Sequence, residues 1–352
     1  MKVIHFPTST GGLSWELAQG EKKLGLDSKV FYKNSNWLNY PCDIALGWCG
    51  SKHLYAWRKA QTAYAFSKEY DVFHMNYGSS LIDFPNLHLD YLDLMLYKNK
   101  KICVTYNGCD ARQKYKRIRQ AEIAPCHYDD CYDGICMDSK QDKIKARRIK
   151  KLHRKGVTMF AVNPDLFNFL PDNAVFLPYP IDESHVDRID KYQIGNKIRI
   201  IHAPTQRVVK GTDDVLKAVE QIERLYPNTI ELQLVEGVKH EEAMKLYREA
   251  NLVIDQLRAG WYGGFAMETM CIGIPTIAYI NEDDLQFIPP EMAKDCLKTV
   301  INANGNTLFS VLENIVNNPQ ILYQRHEASM AYVHRWHAAE YVASITKRYY
   351  ES

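Results

Sequence analysis

The chain has 352 residues, a length that suits two α/β domains better than one. Its 46% hydrophobic and 24% charged residues are typical of a soluble globular protein, and its net charge of +2 does not indicate a nucleic-acid or membrane partner. No run of about 18 apolar residues is present, so we expect no transmembrane helix. No signal-peptide pattern opens the chain, which predicts a cytoplasmic protein with mostly reduced cysteines.

The first half of the sequence alternates short apolar runs with helical patterns. A Gly11-Gly12 turn follows the first run, and such a turn at a helix start is suited to phosphate or sugar contact. The alternation predicts a parallel sheet with helices on both faces, and we assign 1–180 to a first Rossmann-like domain. The predicted strands are 2–6, 28–32, 71–75, 101–106, 157–162 and 174–177.

The charged segment 181–196 interrupts this pattern, and we interpret it as a linker. A second α/β domain is predicted over 197–334, and the aromatic stretch 320–350 is predicted to be helical. The predicted strands of this domain are 198–203, 230–235, 252–255 and 275–280, with helices at 213–225 and 240–250.

A basic turn lies between the first strand and the first helix of the second domain. It contains Arg207, Lys210 and Gly211, and Thr212 or Asp213 is suited to cap the helix that follows. A helix N-terminus attracts anions, and an Arg beside a Lys forms a pocket suited to a diphosphate. A solvated basic loop is an equally good interpretation of these residues alone.

A glycine-rich turn precedes the last predicted strand. Gly263 and Gly264 allow a ligand to approach the backbone, and Glu268 falls in the first turns of the helix that follows. A carboxylate at that place is suited to accept two ribose hydroxyls. The alternative is an acidic residue favoured by the helix dipole.

The second half of the chain resembles the family 4 retaining glycosyltransferases of the GT-B fold (glycosyl transferases group 1). The resemblance rests on HAPTQRVVKGTDDVLKAVEQI, LVEGVKHEEAMKLYREANLVIDQ and GWYGGFAMETMCIGIPTIAY, and more loosely on YNGCDAR and AVNPDLFNFLP. It implies two Rossmann-like domains whose parallel sheets face a central cleft, with a C-terminal helix, 335–352, that returns to the first domain. It also implies a metal-independent hexosyltransferase without a cofactor, acting in polysaccharide biosynthesis.

The resemblance also implies site residues. Catalytic roles fall to Arg207, Lys210, Asp110 and Asn107, and acceptor binding falls to His74, Asn107 and Asp110. The implied donor-binding set is Gly11, Gly12, Arg207, Lys210, Gly211, Glu236, Val238, Gly263, Gly264, Phe265, Ala266 and Glu268.

Two positions depart from the family pattern. The family often has a second Glu where this chain has Gly260, so the corresponding sugar contact is expected from the Trp261 and Tyr262 backbone. It also often has His-Gly where this chain has Asn107-Gly108, and Asn cannot shuttle a proton near neutral pH.

Two further clusters stand out. Cys126, Cys131 and Cys136 are compatible with a structural zinc ion, although free thiols are favoured and a disulfide comes third. The basic stretch 140–155 indicates a solvated helix face. The alternative is peripheral contact with the inner face of an anionic membrane. No nucleic-acid fold signature accompanies it.

The function expected from these features is retaining transfer of a sugar from a nucleoside-diphosphate sugar to a glycan or lipid-linked saccharide. Gly260 and Asn107 leave open a catalytically impaired nucleotide- or glycan-binding protein. A nucleotide-sugar epimerase of the same fold is the third alternative. An oxidoreductase is disfavoured, because neither domain has a GxGxxG after its first strand.

Overall fold

A computed structural model describes residues 1–8, 10–34 and 40–352. The chain forms two compact units. The first unit comprises Met1–Gln113, Ser139–Asp182 and His337–Ser352, and the second comprises Lys114–Asp138 and Glu183–Trp336. Residues 114–138, expected in the first domain, thus belong to the second unit.

Strands and helices alternate as the hydrophobic pattern predicts. The strands of the described residues are β1 Lys2–Phe6, β2 Asp27–Tyr32, β3 Ile44–Ala45, β4 Val72–Asn76, β5 Lys101–Tyr106, β6 Thr158–Ala161, β7 Val175–Phe176, β8 Ile198–His202, β9 Ile230–Leu234, β10 Leu252–Ile254, β11 Thr276–Ala278 and β12 Ile301–Asn302. The helices are α1 Leu13–Lys23, α2 Lys52–Glu69, α3 Lys114–Gln120, α4 Lys140–His153, α5 Arg207–Lys210, α6 Thr212–Leu225, α7 His240–Tyr247, α8 Gly264–Cys271, α9 Pro290–Thr299, α10 Leu308–Asn317, α11 Gln320–Trp336 and α12 Ala339–Tyr350.

The first unit is built on a seven-stranded parallel sheet in the order β3-β2-β1-β4-β5-β6-β7. Strand order reverses between β1 and β4, where Val3 lies opposite both Ser28 and Val72. In doubly wound sheets, ligands bind beyond the carboxyl ends of the strands at such a switch point. The turns after β1, β4 and β5 are therefore the candidate ligand-binding segments of this unit.

The C-terminal stretch 320–350 forms two helices rather than one. Helix α11 ends at Trp336 in the second unit, and α12 packs on α1 in the first unit. Between them the chain runs beside Ile181, whose N–H donates to the carbonyl of His337 and whose carbonyl accepts from Ala339. These two hydrogen bonds satisfy backbone groups that the break between the helices would otherwise leave open.

A buried carboxylate, Glu21 of α1, connects α12 to the sheet. Its Oε2 lies 2.7 Å from Nε2 of His5 and accepts from Ser28 at 2.6 Å. Its Oε1 accepts from the hydroxyls of Tyr350 at 2.8 Å and Thr346 at 3.1 Å. Burial alone would raise the pKa of Glu21, but the charge of His5 and these hydrogen bonds outweigh burial and lower it.

The second unit is built on a five-stranded parallel sheet in the order β12-β11-β10-β8-β9. Its switch point lies between β8 and β10, where Ile201 pairs with Val253. Helix α6 packs its apolar face, including Val215, Val219 and Ile222, into the core of this unit. The segments that follow β8 and β10 therefore meet at one edge of the sheet.

Residues 114–138 are joined to the rest of the second unit by a buried ion pair. Arg117 is 1% exposed and donates to Oδ2 of Asp284 at 3.1 Å. Lys114 donates to Asp129 at 3.0 Å within the segment. The contact between Arg117 and Asp284 joins positions 167 residues apart, which the local pattern of the sequence does not reveal.

Glu21→Gln is expected to destabilise the first unit by about 3 kcal/mol, because a buried hydrogen-bonded pair loses one of its charges. The check is the midpoint of urea unfolding followed by circular dichroism. Glu69→Gln is the matched control, since Glu69 is half-exposed and 3.8 Å from Lys29, and it should change stability by less than about 0.5 kcal/mol.

The Glu21 carboxylate also makes the stability of the first unit depend on pH. Because its folded-state pKa is lowered, its contribution to stability is fully present above the ordinary carboxyl value of 4.5 and is lost as pH falls through the lowered folded value. Lowering the pH should therefore reduce the difference in unfolding free energy between the wild type and Glu21→Gln. An unchanged difference between pH 7 and pH 3 would contradict this role of Glu21.

Candidate active site

The basic turn after β8 forms a single helical turn, α5, rather than an irregular loop. Gln206 caps it, with Oε1 accepting from the N–H of Val209 at 2.7 Å. Gly211 ends α5 and begins α6 with φ +71°, a left-handed conformation that favours glycine. The predicted capping of α6 by Thr212 or Asp213 is wrong, because Gly211 occupies the N-cap without a side-chain hydrogen bond.

Thr212 has a different partner. Its Oγ1 lies 2.9 Å from Nε2 of His202, whose Nδ1 lies 2.7 Å from the carbonyl oxygen of Ile254. Burial lowers the pKa of His202 to about 4, so this imidazole is neutral near pH 7. His202 therefore connects the end of β8 to β10 and to the start of α6.

Lys210 is the cation at the switch point of the second sheet. Its Nζ forms an ion pair with Oδ1 of Asp255, which follows β10 and is fully buried. Oδ2 of Asp255 accepts from the N–H of Gly263 at 2.6 Å. One carboxylate thus joins the basic turn to the residue that precedes α8.

Arg207 is the exposed cation of the same turn. Its side chain is 54% exposed and forms a two-point contact with Glu236, with Nε–Oε1 at 2.9 Å and Nη2–Oε2 at 2.5 Å. The hydrogen bond from Arg207 is the main cause of the lowered pKa of Glu236. The structure therefore brings these two predicted donor-site residues together as a pair.

A third cation, Arg258, was not predicted from the sequence. It is 7% exposed, and its Nη2 lies 2.8 Å from Oδ2 of Asp214 while its Nη1 donates to the carbonyl of Val208 at 3.0 Å. The ring of Tyr128, from the 114–138 segment, lies 3.8 Å from its guanidinium carbon. The position of Arg258 just beyond β10, at the carboxyl edge, is the signal that points to it.

The remaining donor-side residues surround α8. Gly263 is its N-cap, and Gly264, Phe265 and Ala266 form its first turn, where helix N–H groups lack partners within the helix. Glu268 lies one turn further, with Oε1 2.7 Å from Nε2 of His240. Phe265 and Val238 pack on the apolar cluster beneath this edge.

Gly260, where the resembling family often has a Glu, has φ +79°. A Cβ there would lie 3.2 Å from Cβ of Asn281 and 3.3 Å from Nη2 of Arg117. A side chain is therefore disfavoured both by the backbone and by the space that Arg117 occupies. The Trp261 carbonyl accepts from Nε2 of Gln256 at 2.5 Å, so it already has a protein partner.

The first unit presents its own polar cluster at the carboxyl ends of its strands. Asp110 accepts from the N–H groups of Asn107 and Gly108, the shortest distance being 2.7 Å. Nδ2 of Asn107 donates to Oδ1 of Asn76 at 2.7 Å, and Asn76 in turn donates to the carbonyl of Thr8. Asn76, at the end of β4, was not predicted and shows its role only through these contacts.

Two properties of this cluster suit ligand contact. Oδ1 of Asn107 is buried and has no hydrogen-bond partner among the described residues. Burial raises the pKa of Asp110 to about 6, although its backbone hydrogen bonds favour the carboxylate. Gly11 and Gly12, with φ of +56° and +70°, lead from β1 into α1, and Gly12 is its N-cap.

His74 does not join this cluster, and the structure does not support the acceptor contact predicted for it. Its side chain is 1% exposed, with Nδ1 2.5 Å from the hydroxyl of Tyr350 and Nε2 2.6 Å from Oγ1 of Thr105. Burial drives its pKa well below 6.5. His74 therefore extends the buried network around Glu21.

Cys126, Cys131 and Cys136 give no geometric support to the predicted zinc site. Two short 3₁₀ turns, Pro125–His127 and Cys131–Gly134, carry the first two of these cysteines. Across the described chain, the one cluster of three or more side chains close enough to share an ion is formed by His5, Glu21 and His74. A structural zinc ion at these cysteines therefore stays a prediction.

The sequence matches no family model and no curated protein. Solved structures do match: sucrose-phosphate synthase from Thermosynechococcus elongatus is similar over 100% of this chain and 98% of its own, with a TM-score of 0.62 and 14% identity. A Listeria monocytogenes protein described as a UDP-N-acetylglucosamine 2-epimerase is similar over 100% and 97%, with a TM-score of 0.55 and 12% identity.

Staphylococcus aureus TarM, in complex with fondaparinux, α-GlcNAc-glycerol and UDP, is similar over 84% of this chain and 59% of its own, with a TM-score of 0.56 and 13% identity. These similarities, with the two parallel sheets, confirm the predicted α/β fold class, GT-B. At such identities they establish the fold, and function has to be argued from the site.

Gly211→Ala is expected to destabilise the second unit by about 1–2 kcal/mol, the cost of a left-handed non-glycine residue. The new Cβ would also lie 3.1 Å from Cβ of Leu257. Gly264→Ala is the matched control, because Gly264 has no positive φ and a Cβ added there would have no heavy atom within 4 Å. Equal melting temperatures for the two variants would contradict the role of Gly211.

Proposed function

We propose that this chain is a retaining glycosyltransferase of the family 4 type. It would transfer a sugar from a nucleoside-diphosphate sugar to a glycan or lipid-linked saccharide, in polysaccharide biosynthesis. The observation that carries the proposal is the set at the switch point of the second sheet, where Asp255 connects Lys210 to the N-terminus of α8 and the exposed Arg207 belongs to the same basic turn as Lys210. Cations and helix N–H groups at such an edge suit a diphosphate.

The donor diphosphate would be bound without a metal ion. Arg207 is exposed and offers a planar guanidinium for two-point contact with phosphate oxygens. The N–H groups of Gly264, Phe265 and Ala266 would add the positive end of α8. Together these groups would stabilise the charge that develops on the leaving diphosphate.

The nucleoside would lie further along the same edge. Glu268 would accept the ribose hydroxyls, with His240 orienting its carboxylate through the 2.7 Å contact. Glu236 and Val238 would flank the base. Because Arg207 and Glu236 are paired, Glu236 would also hold the guanidinium near the phosphates before the donor arrives.

The first unit would bind the acceptor through Asn107 and Asp110. The acceptor oxygen would form a bond to the anomeric carbon on the face that the diphosphate leaves, and the bond from that carbon to the phosphate oxygen would break. The leaving phosphate would take the acceptor proton, so Asn107 need not act as a base. The buried Oδ1 of Asn107 is suited to accept a hydrogen bond from the sugar.

The three cations of the donor site are not equivalent. Lys210 is paired with a fully buried carboxylate, so Lys210→Ala would leave Asp255 uncompensated and would cost stability as well as activity. Arg207 and Glu236 are both substantially exposed, and such pairs contribute little to stability because solvent screens them. Arg207→Ala is therefore the substitution that separates binding from folding.

Arg207→Ala is expected to weaken binding of the preferred nucleoside diphosphate by about tenfold, and to lower the transfer rate by about a hundredfold. Calorimetry would measure binding after a thermal-shift screen of nucleoside diphosphates selects the ligand. Arg224→Ala is the control, because Arg224 is exposed in the last turn of α6, at the end away from Gly211. Equal nucleotide binding by the two variants would contradict the proposed role of Arg207 in binding the diphosphate.

Gly264→Ala provides a second, independent test. Its added methyl group meets no protein atom, so the fold should be retained, yet it would stand where the diphosphate approaches α8. A loss of nucleotide binding without a loss of melting temperature is the expected result. Normal binding would place the phosphates away from the start of α8.

Product analysis separates the proposed transferase from its alternatives. Proton NMR of the product should show the anomeric configuration of the donor retained. Conversion of the nucleotide sugar to its epimer without an acceptor would indicate an epimerase. Nucleotide binding without turnover on any acceptor would indicate a binding protein.

A further inference from the structure

Helix α4 uses its basic residues in two ways. Arg147 contacts both carboxylate oxygens of Asp90, at 2.9 and 3.0 Å, and donates to the carbonyl of Pro85 at 2.8 Å. Lys151 donates to the carbonyl of Asp90 at 2.6 Å. Arg147 and Lys151 therefore do not belong to a freely solvated helix face, because they hold the 85–90 segment against the helix.

Three other basic residues of this region face solvent. Lys143, Lys150 and Arg154 follow one another at helical spacing along the stripe that contains Arg147, and all three are exposed. A surface groove of about 360 Å³ lies on this side, and its lining consists of Arg147, Lys150, Lys151, Arg154 and Lys155. A groove lined by five basic residues attracts phosphate-bearing ligands.

Exposed apolar side chains belong to the 85–90 segment that Arg147, one of the residues lining the groove, holds against the helix. The backbone pairs Phe84 with Leu89, which makes a tight loop between them, and Leu87 near its tip is 68% exposed. Leu89 is 46% exposed. Asp90, which follows this loop, is 1% exposed and paired with Arg147, so it offsets the charge of Arg147 but not that of the other four basic residues of the groove.

We propose that this face of the first unit docks on an anionic lipid bilayer. The basic groove would bind lipid phosphate groups. Leu87 and Leu89 would insert at the boundary between the lipid headgroups and the acyl chains. Soluble anions would need the groove but not the exposed leucines, whereas a bilayer matches both features side by side. Within the part of the chain that the structure describes, no helix has both the length and the apolar character needed to cross a bilayer.

Vesicle co-sedimentation of the full chain tests this proposal. Vesicles of phosphatidylcholine alone are compared with vesicles containing about 30% phosphatidylglycerol, at low and high salt. Binding is expected on the anionic vesicles and should weaken as salt rises. Equal partition on the two kinds of vesicle, or none on either, would overturn the proposal.

Substitutions locate the surface. Lys150→Glu with Arg154→Glu should lower partition on anionic vesicles by at least about thirtyfold. Lys217→Glu with Arg224→Glu, on exposed positions of α6, is the matched charge reversal and should retain most of the binding. Equal losses in the two double variants would mean that net charge alone drives binding, and would overturn the proposed surface.

Leu87→Ser separates lipid insertion from simple charge attraction. It should lower partition by about tenfold and make the remaining binding more sensitive to salt. Melting temperatures of all variants serve as the folding control. Release from vesicles by millimolar inorganic phosphate, with no effect of Leu87→Ser, would show a site for soluble anions instead. These outcomes are independent of the proposed transferase activity.

Discussion

The second unit depends on the buried carboxylate of Asp255. It neutralises Lys210 and accepts the N–H of Gly263, so one side chain connects the segments that follow β8 and β10 with the start of α8. An isolated buried carboxylate would be strongly unfavourable, whereas one with a cation and a backbone donor is compensated. The same contacts that make the carboxylate tolerable also fix the two sides of the candidate phosphate site.

The first unit uses a comparable device for a different purpose. Glu21 collects hydrogen bonds from β2 and α12 and pairs with His5 of β1, while His74 and Thr105 extend the network across β4 and β5. Polar networks of this kind specify one arrangement, because a shifted helix would leave several buried groups unsatisfied. The position of the C-terminal helix is thus set by polar contacts as well as by apolar packing.

Much of the fold could be predicted because the spacing of apolar residues and the positions of turn residues are local properties of the sequence. The long strands β1, β4 and β5 and the amphipathic helix α6 carry strong patterns. The two-residue strands β3 and β12 carry almost none. The membership of residues 114–138 in the second unit, like the roles of His74, Arg258 and Asn76, depends on contacts between distant positions. Residue type alone could nominate His74, but only burial shows that both ring nitrogens are occupied.

Every cation described at the candidate donor site has a carboxylate partner: Arg207 with Glu236, Lys210 with Asp255 and Arg258 with Asp214. Before a ligand binds, the site is therefore close to neutral, and the helix N-termini carry a larger share of its positive potential. The three pairs differ in how readily they can change partner. The Lys210 pair is buried, the Arg258 pair is partly buried, and both are held by neighbouring backbone groups, so they are suited to stay fixed. Arg207 is exposed, so it can exchange its carboxylate partner for a donor phosphate at little cost. Of the three cations, Arg207 is therefore the one best suited to change partner when the donor binds.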